Sequence, residues 1–279
     1  MSFNKRAIGT ILLLVLCCSI PIQAKKKNRN QPHPHNGILK PYSPGPFDVP
    51  LTKSEEGQLA QGKSVMKQSM PSNDEVAEGE APPSGGALCV QDVEAPVEAV
   101  WYQILNLNDY PKKVAKLKSS NNYVEKRNKD GTYNIKTKMV LSAFPGYSFE
   151  SYYDHTYHPT KSSLTWTLDY AKTSDFHDVA GHWHVQQLGQ QKSRVFYACD
   201  VQMGGPIPTP LLNYIGKQAL KQATSWVKRE SEANPTLKHE YTPQTTTTPV
   251  SSADGESKLA GMAGRFASLP KPKWGFQKR

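Results

Sequence analysis

The chain has 279 residues and a formal net charge of +10, which is unevenly distributed. The segment 85–233 holds most of the regular hydrophobic pattern, yet its net charge is only +3, and the rest lies in the flanks. A nucleic-acid-binding domain usually carries its basic residues on the folded surface, so this distribution argues against nucleic acid as a partner. The patterned segment has the length of one ordinary domain, and we expect a monomer.

The start of the chain has the features of a secretory signal peptide over residues 1–24. Lys5 and Arg6 precede an apolar run over residues 7–22, and Ala24 follows as a small residue at which cleavage can occur. Three lysines at 25–27 would begin the mature chain, so an uncleaved signal anchor remains the alternative. We therefore expect the protein in the secretory pathway, extracellular or lumenal, and membrane-tethered if the segment is retained. In a host with complex plastids, the same signal peptide can be the first part of a plastid-targeting sequence.

Two further segments have the composition of disordered chain. Residues 25–84 are rich in Pro, Gly, Ser and charged residues without a sustained period, and they are predicted to be a linker. Residues 234–279 are predicted to be a disordered basic tail, with a run of threonines at 245–248. The end of this tail mixes apolar and basic residues, a composition that can contact an anionic membrane.

Between these flanks the pattern predicts one strand, a short helix, a series of strands and a long helix. The first strand covers residues 87–95, and apolar residues at helical spacing follow Pro96. The next strands alternate apolar and polar residues, so one face of an antiparallel sheet is expected to be covered and the other wet. Residues 210–232 are predicted to form the covering helix. The predicted fold is α+β, a curved antiparallel sheet or incomplete barrel around a long C-terminal helix, with an internal hydrophobic cavity.

Four segments carry a family resemblance within the predicted domain 85–233. They are residues 94–101 after the first strand, 108–111 after the first helix, 181–183 on a late strand and 204–213 before the long helix. In this order and spacing they resemble the START-like superfamily, which includes polyketide cyclases and coenzyme Q-binding proteins and has a helix-grip fold. The resemblance implies an apolar ligand between the sheet and the helix, but it does not identify that ligand because the fold serves many.

The resemblance and the alternation together indicate which residues line the cavity. Inward rings on the strands and apolar residues on the helix form the expected lining: Phe149, Tyr153, Trp166, Trp183, Tyr197, Ile215 and Ala219. Ordinary core packing is the alternative for each of them. Glycines that permit opening and prolines that restrict it form the expected mouth: Gly204, Gly205, Pro206 and Pro208. The expected function is binding, transport or sensing of a lipid, sterol or isoprenoid quinone, without a cofactor.

The strand positions do not indicate a catalytic or metal site. Tyr153 and His155 are the only inward titratable pair, so no catalytic residue is assigned, and a polyketide cyclase/dehydrase-like enzyme remains an alternative. An interaction protein with a vestigial cavity is the third. His182 and His184 have the spacing of a metal pair but alternate onto the wet face, as does Asp200, and no further ligand is evident. No metal site is expected.

Two cysteines, Cys89 and Cys199, lie within the predicted domain. In the fold that the chain resembles, the first and last long strands lie side by side, so the register could bring the two residues together in an oxidising compartment. A disulfide requires Cα atoms about 5.5 Å apart. The face of Cys89 is ambiguous, and a disulfide and two free thiols remain equal alternatives.

Overall fold

The computed structural model describes residues 28–69, 84–144, 147–203 and 220–241. All of them lie in one compact unit that extends to Pro243. Residues 1–27, residues 242–279 and the first part of the helix predicted over 210–232 lie outside the described residues. So do these predicted site residues: Gly204, Gly205, Pro206, Pro208, Ile215 and Ala219. Within the described ranges, no helix is long and apolar enough to cross a membrane.

Eight antiparallel strands form one sheet. They are β1 (Val65–Ser69), β2 (Ser84–Val93), β3 (Leu117–Arg127), β4 (Tyr133–Phe144), β5 (Tyr147–His158), β6 (Ser163–Leu168), β7 (Phe176–Gly189) and β8 (Lys192–Met203). Their order across the sheet is β1-β2-β8-β7-β6-β5-β4-β3, so β1 and β3 are the edges and the sheet is open. The turn between β3 and β4 contains Gly131 at φ +83°, a conformation that favours glycine.

The described residues also include four α-helices: α1 (Lys53–Ala60), α2 (Val97–Leu105), α3 (Tyr110–Lys113) and α4 (Leu220–Ala233). Two short 3₁₀ helices cover Leu107–Asp109 and Pro159–Lys161. α4 packs against α2 and against β2. The indole of Trp226 on α4 contacts the ring of Tyr110, with centroids 4.8 Å apart. Gln91 on β2 donates a hydrogen bond to the backbone oxygen of Thr224 at 3.0 Å. The predicted helix-grip architecture, an incomplete antiparallel barrel with a C-terminal helix, is confirmed.

The strand register gathers inward side chains into rows that cross the sheet. One row runs from β4 to β8 through Ile135, His155, Trp166, Gly181 and Cys199. A glycine is required in this row, because a Cβ at Gly181 would lie 2.0 Å from the Trp166 indole. The missing side chain lets the large ring lie across the neighbouring strand. The inner face defined by these rows, together with α2 and α4, contains the main hydrophobic core.

Residues 28–69 correct the prediction of a disordered linker over residues 25–84. They form an N-terminal layer that covers part of the outer face of the sheet and contains α1 and β1. A second, smaller core joins this layer to the sheet through Leu59, Val65 and Val90. The linker prediction is wrong for this part of the chain. Its few apolar residues have no regular period and therefore give no secondary-structure signal, but they pack against apolar residues of β2 and β8.

The outer face is also not the wet surface that the alternation predicts. His182 and His184 are buried, and the rings of Tyr42 and Phe47 from the N-terminal layer lie 5.8 and 4.8 Å from the His182 ring. Asp200 accepts a hydrogen bond from the Tyr42 hydroxyl at 2.8 Å. Alternation distinguishes the two faces of a strand, but it does not reveal that another segment covers the polar one.

Of the two alternatives left open for the cysteines, the structure has the free thiols: Cys89 and Cys199 are both unpaired and buried. Cys89 pairs with Tyr197 and Cys199 pairs with Ala87, so the cysteines share a face but are displaced by two residues. Diagonal neighbours of this kind lie about 7–8 Å apart, beyond the usual span of a disulfide. Burial raises the pKa of Cys89 to about 11 and that of Cys199 to about 12, so both thiols are protonated at neutral pH.

Candidate functional site

A continuous set of aromatic rings crosses the inner face from β5 to β8. The ring centroids of Tyr153 and His155 are 5.9 Å apart, and those of His155 and Trp166 are 6.0 Å apart. The Tyr197 ring lies 5.9 Å from Trp166 and 4.5 Å from Trp183. The register brings these rings together because they project from the same face of adjacent strands.

The five predicted lining rings differ in how much surface they leave accessible. Trp166 and Trp183 are 9% and 5% exposed and act mainly as core. Phe149, Tyr153 and Tyr197 are only half-buried, although they lie on the inner face of the sheet. Three of the predicted rings therefore keep surface that another molecule can contact.

Phe176 joins this surface and was not among the predicted lining residues. Its ring stacks on Phe149, with centroids 5.5 Å apart and an interplanar angle of 9°. A register shift between Phe176 and Asp178 interrupts the alternation of β7. Parity counted back from Val179 therefore assigns Phe176 to the wrong face, as is expected at a β-bulge.

The inner face of β3, β4 and β5 adds side-chain hydroxyls to the aromatic surface. Thr137 is fully buried, and its Oγ1 donates to the Asn122 side-chain oxygen at 2.8 Å. Ser120 and Ser151 are also buried, and neither Oγ atom has a hydrogen-bond partner among the described residues. Both serines share the parity of inward apolar residues such as Met139. Strand alternation could have assigned these serines to the inner face, but alternation is a weak indicator for small polar side chains.

His155 lies buried on the inner face, with Nδ1 3.2 Å from the Ile135 carbonyl oxygen. Because a carbonyl only accepts, Nδ1 carries the proton and Nε2 is the acceptor. Burial lowers the pKa of His155 to about 4, so the ring is neutral at pH 7. Burial also raises the pKa of the neighbouring Tyr153 hydroxyl; the Ser151 hydroxyl slightly offsets this rise without reaching hydrogen-bond geometry. The pair is therefore uncharged at pH 7.

Buried charge lies on the other face of the sheet. The buried carboxylates among the described residues, Asp92, Asp169 and Asp178, all lie on the outer side of the sheet. Arg194 Nε donates to Asp92 at 2.7 Å, and Lys136 Nζ donates to Asp169 at 2.9 Å. Backbone N–H groups of the N-terminal layer donate to Asp178. An isolated charge buried among apolar residues is costly, so the neutral inner face suits an uncharged, largely apolar molecule.

In the part of the chain that the structure describes, no group of three or more His, Cys, Asp or Glu side chains is arranged to hold a metal ion. One ring nitrogen of each outer histidine contacts a neighbouring oxygen instead, while His182 Nδ1 has no hydrogen-bond partner among the described residues. His182 Nε2 lies 2.6 Å from Ser163 Oγ, and His184 Nδ1 lies 2.9 Å from the Ser162 carbonyl oxygen. These contacts give the histidines a structural role beneath the N-terminal layer.

Residues 93–225 match the family model described as polyketide cyclase / dehydrase and lipid transport. The match runs from the end of β2 through β8 and into α4, so it includes every strand that contributes to the aromatic set. The search among curated proteins found no match.

Several solved structures are similar to the chain at low sequence identity. The Zhui aromatase/cyclase from Streptomyces sp. R1128 is 13% identical, with 53% of this chain and 94% of that chain covered and a TM-score of 0.46. A START superfamily protein from Mycobacterium smegmatis is 17% identical, with coverages of 53% and 97% and a TM-score of 0.44. A STAR-related lipid transfer protein from Xanthomonas axonopodis is 15% identical, with coverages of 58% and 97% and a TM-score of 0.42.

Proposed function

We propose that the protein binds a hydrophobic small molecule between its sheet and α4. Residues 93–225 match the family model described as polyketide cyclase / dehydrase and lipid transport, and this match supports a START-like domain of that kind. The observation that carries the proposal is the accessible aromatic surface on the inner face, formed by Phe149, Tyr153, Phe176 and Tyr197. Such rings combine apolar area with a few polar groups, which is typical of small-molecule sites.

Apolar burial would supply the affinity, at about 25 cal/mol per Å² of ligand surface removed from water. Lipids, sterols and isoprenoid quinones have the required chemistry, and the neutral inner face favours holding such a molecule over converting it. The signal segment would route the carrier into the secretory pathway, and the basic tail would contact an anionic membrane.

Native mass spectrometry of the protein purified from its own host tests the proposal. We expect a bound apolar molecule that organic solvent releases. Phe149→Arg places a charge on the inner face and should abolish binding without unfolding the domain, because Phe149 is only half-buried. Leu188→Arg is the matched control, since Leu188 is 42% exposed, and it should retain the ligand. A host-purified protein without ligand that also fails to bind a fluorescent apolar probe would contradict the proposal.

His155 favours one second candidate, an enzyme of the cyclase/dehydrase kind. Its neutral imidazole could accept a proton at Nε2 from a carbon next to a carbonyl group, while the Tyr153 hydroxyl donates to the carbonyl oxygen. His155→Gln should then abolish turnover of a poly-ketone substrate and leave its binding intact. Turnover that persists in this variant would exclude His155 as the base.

A further inference from the structure

Two buried serines on the inner face, Ser120 on β3 and Ser151 on β5, form a row with Met139 on the strand between them. Ser120 pairs with Met139 from one side and Ser151 pairs with it from the other. Directly paired residues of antiparallel strands project to the same face, so all three side chains point inward. Two strand spacings separate the serine Cα atoms by about 10 Å. The serines are 4% and 1% exposed, and neither Oγ has a hydrogen-bond partner among the described residues.

Other buried serines of the sheet are satisfied within the chain. Ser163 Oγ lies 2.6 Å from His182 Nε2, and Ser193 Oγ donates to the Ala95 carbonyl oxygen at 2.8 Å. Folded proteins rarely leave a buried hydroxyl unpaired, because its desolvation is then uncompensated. Ser120 and Ser151 differ from these two serines, because neither Oγ makes a hydrogen bond within the described residues, although the Tyr153 hydroxyl lies near Ser151.

The surroundings restrict the chemistry of any further hydrogen-bond partner. Tyr153 in the adjoining row is a protonated hydroxyl, because burial raises its pKa. Phe149 and Phe176 provide stacked aromatic surface next to Ser151. Among the described residues, no buried cation lies on this face to neutralise a carboxylate or phosphate. Burying either anion here would be costly, whereas an uncharged oxygen would satisfy a serine at no such cost.

We propose that Ser120 and Ser151 hydrogen-bond uncharged oxygen atoms of the ligand. The ligand is then an apolar molecule with hydroxyl or carbonyl groups, and neither a fatty-acid anion nor a phospholipid headgroup occupies this end of the site. The inference rests on the proposed function and deepens it, because it adds the class of ligand to the general requirement for apolar surface.

Displacement of a fluorescent apolar probe from the full chain tests this class with dodecanol, dodecanoate and dodecane. These share one hydrocarbon chain and differ only in the end group. We expect dodecanol to bind at least about tenfold more tightly than dodecanoate. The double variant Ser120→Ala/Ser151→Ala should weaken dodecanol about five- to tenfold, the effect of one lost hydrogen bond, and leave dodecane unchanged.

Thermal unfolding distinguishes a ligand-binding role from a structural one. The double variant removes two unpaired hydroxyls, so its Tm should stay constant or rise by about 2 °C. Ser193→Ala is the matched control, because it breaks an existing hydrogen bond; it should lower the Tm and leave dodecanol affinity unchanged. Dodecanoate binding as tightly as dodecanol, or full dodecanol affinity in the double variant, would overturn the inference. Failure of all three molecules to bind would instead overturn the proposed function itself.

Discussion

The inner and outer faces of the sheet both bury polar side chains, but they satisfy them in different ways. On the outer face, the Asp178 carboxylate accepts hydrogen bonds from the backbone N–H groups of Ile38 and Leu39 at 2.6 and 2.7 Å. On the inner face, Ser120 and Ser151 have no partner among the described residues. The N-terminal layer supplies hydrogen-bond partners to the outer face, although His182 Nδ1 has none among the described residues, whereas the inner face is the one on which we propose a second molecule.

Charge distinguishes the faces in the same way. Lys136 on the outer face bridges Asp154 and Asp169 at 3.2 and 2.9 Å. The inner face has His155, which its burial keeps neutral at pH 7. Outer contacts therefore depend on the protonation of several groups, and inner contacts depend on shape and apolar area. Each prediction below tests whether the two faces are as independent as this difference implies.

Gly181→Ala should have the largest effect, because it disrupts the inner face directly. The added Cβ would lie 2.0 Å from the Trp166 indole, so the ring or the strand must move. We expect the free energy of unfolding to fall by about 4 kcal/mol or more, above the usual overpacking cost of about 1–3 kcal/mol. Denaturant unfolding measures this loss, and a smaller ring in Gly181→Ala/Trp166→Leu should recover part of it.

Gly189→Ala is the control for this substitution. Gly189 ends the same strand, but the nearest atom to a Cβ there is 3.9 Å away, which is an ordinary contact. The free energy of unfolding should therefore stay constant or rise by up to about 1 kcal/mol, because alanine restricts the unfolded chain and meets no clash in the folded one. Equal destabilisation by the two alanines would mean that the Trp166 contact does not determine the packing of the inner face.

Asp178→Ala should have the next largest effect, confined to the outer face. It leaves the N–H groups of Ile38 and Leu39 and the Tyr170 hydroxyl without their acceptor. Loss of a buried carboxylate with several such donors costs about 3 kcal/mol. We expect rapid proteolysis of residues 28–50 while binding of an apolar probe persists. Asp48→Ala, at an exposed position of the same layer, should change neither. Loss of probe binding in Asp178→Ala would show that the outer layer also supports the inner face.

The inner face could be predicted from the sequence to a large extent. Tyr153, Trp166 and Tyr197 were assigned inward because apolar residues of a half-buried strand repeat with period two, and the register preserves that repeat. Phe176 could not be assigned in this way, because a single bulge reverses parity. Parity could not show whether Cys89 and Cys199 form a disulfide, because a displacement of two residues leaves both side chains on the same face. Only the register of β2 and β8 shows that they are not directly paired.

The outer cover could not be predicted for a different physical reason. Its strongest contacts join one side chain to backbone N–H groups, as Asp178 does with residues 38 and 39. Every residue except proline has such a donor, so no composition or period indicates where they bind. The apolar contacts of Leu59 and Val65 are real but too few to produce a hydrophobic pattern. Segments of this kind have the composition of linkers even when they are docked.

Acidification should weaken the outer contact before the inner core. Burial lowers the pKa of His182 to about 4, and it also lowers the pKa values of His33 and His177. For each group the unfolded state, with a pKa near 6.5, binds more protons than the folded state between the two pKa values. Stability is therefore complete above about pH 7 and is lost as the pH falls through 6.5 towards 4. The loss is about 2 kcal/mol by pH 5 for a group such as His182.

Hydrogen exchange measured as a function of pH tests whether the outer contact is lost before the inner core. The amides of Ile38 and Leu39 should lose protection at a higher pH than the amides of β5, because the pKa values of three histidines are lowered at the outer contact, whereas in β5 the buried histidine is His155, with a pKa also lowered to about 4. His182→Gln should flatten the dependence of stability on pH between 6.5 and 4, because a glutamine does not titrate. Simultaneous loss of protection at both positions would mean that acid unfolds the domain as one unit.

Thr52→Ala has the smallest expected effect and tests the independence of the faces most finely. The Thr52 hydroxyl accepts from the Glu55 N–H at 3.2 Å, and the Glu55 carboxylate accepts from the Thr52 N–H at 2.7 Å, a capping box at the start of α1. Glu55 also forms an ion pair with Lys67 on β1 at 2.9 Å. Loss of the cap should cost about 1 kcal/mol and speed hydrogen exchange in residues 53–69.

Thr52→Ser retains the capping oxygen and should restore this protection, while probe affinity at the inner face stays constant in both variants. An affinity that falls in Thr52→Ala and recovers in Thr52→Ser would show that the faces are coupled. One route for such coupling is β2, where Val90 packs against the N-terminal layer and the adjacent Gln91 contacts α4. Because these two side chains project to opposite faces, this route requires a shift of the β2 backbone. A second route is direct, since Lys228 on α4 donates to the Gly62 carbonyl oxygen at 3.1 Å, just beyond the end of α1. Constant affinity would therefore mean that neither contact transmits the loosening of α1.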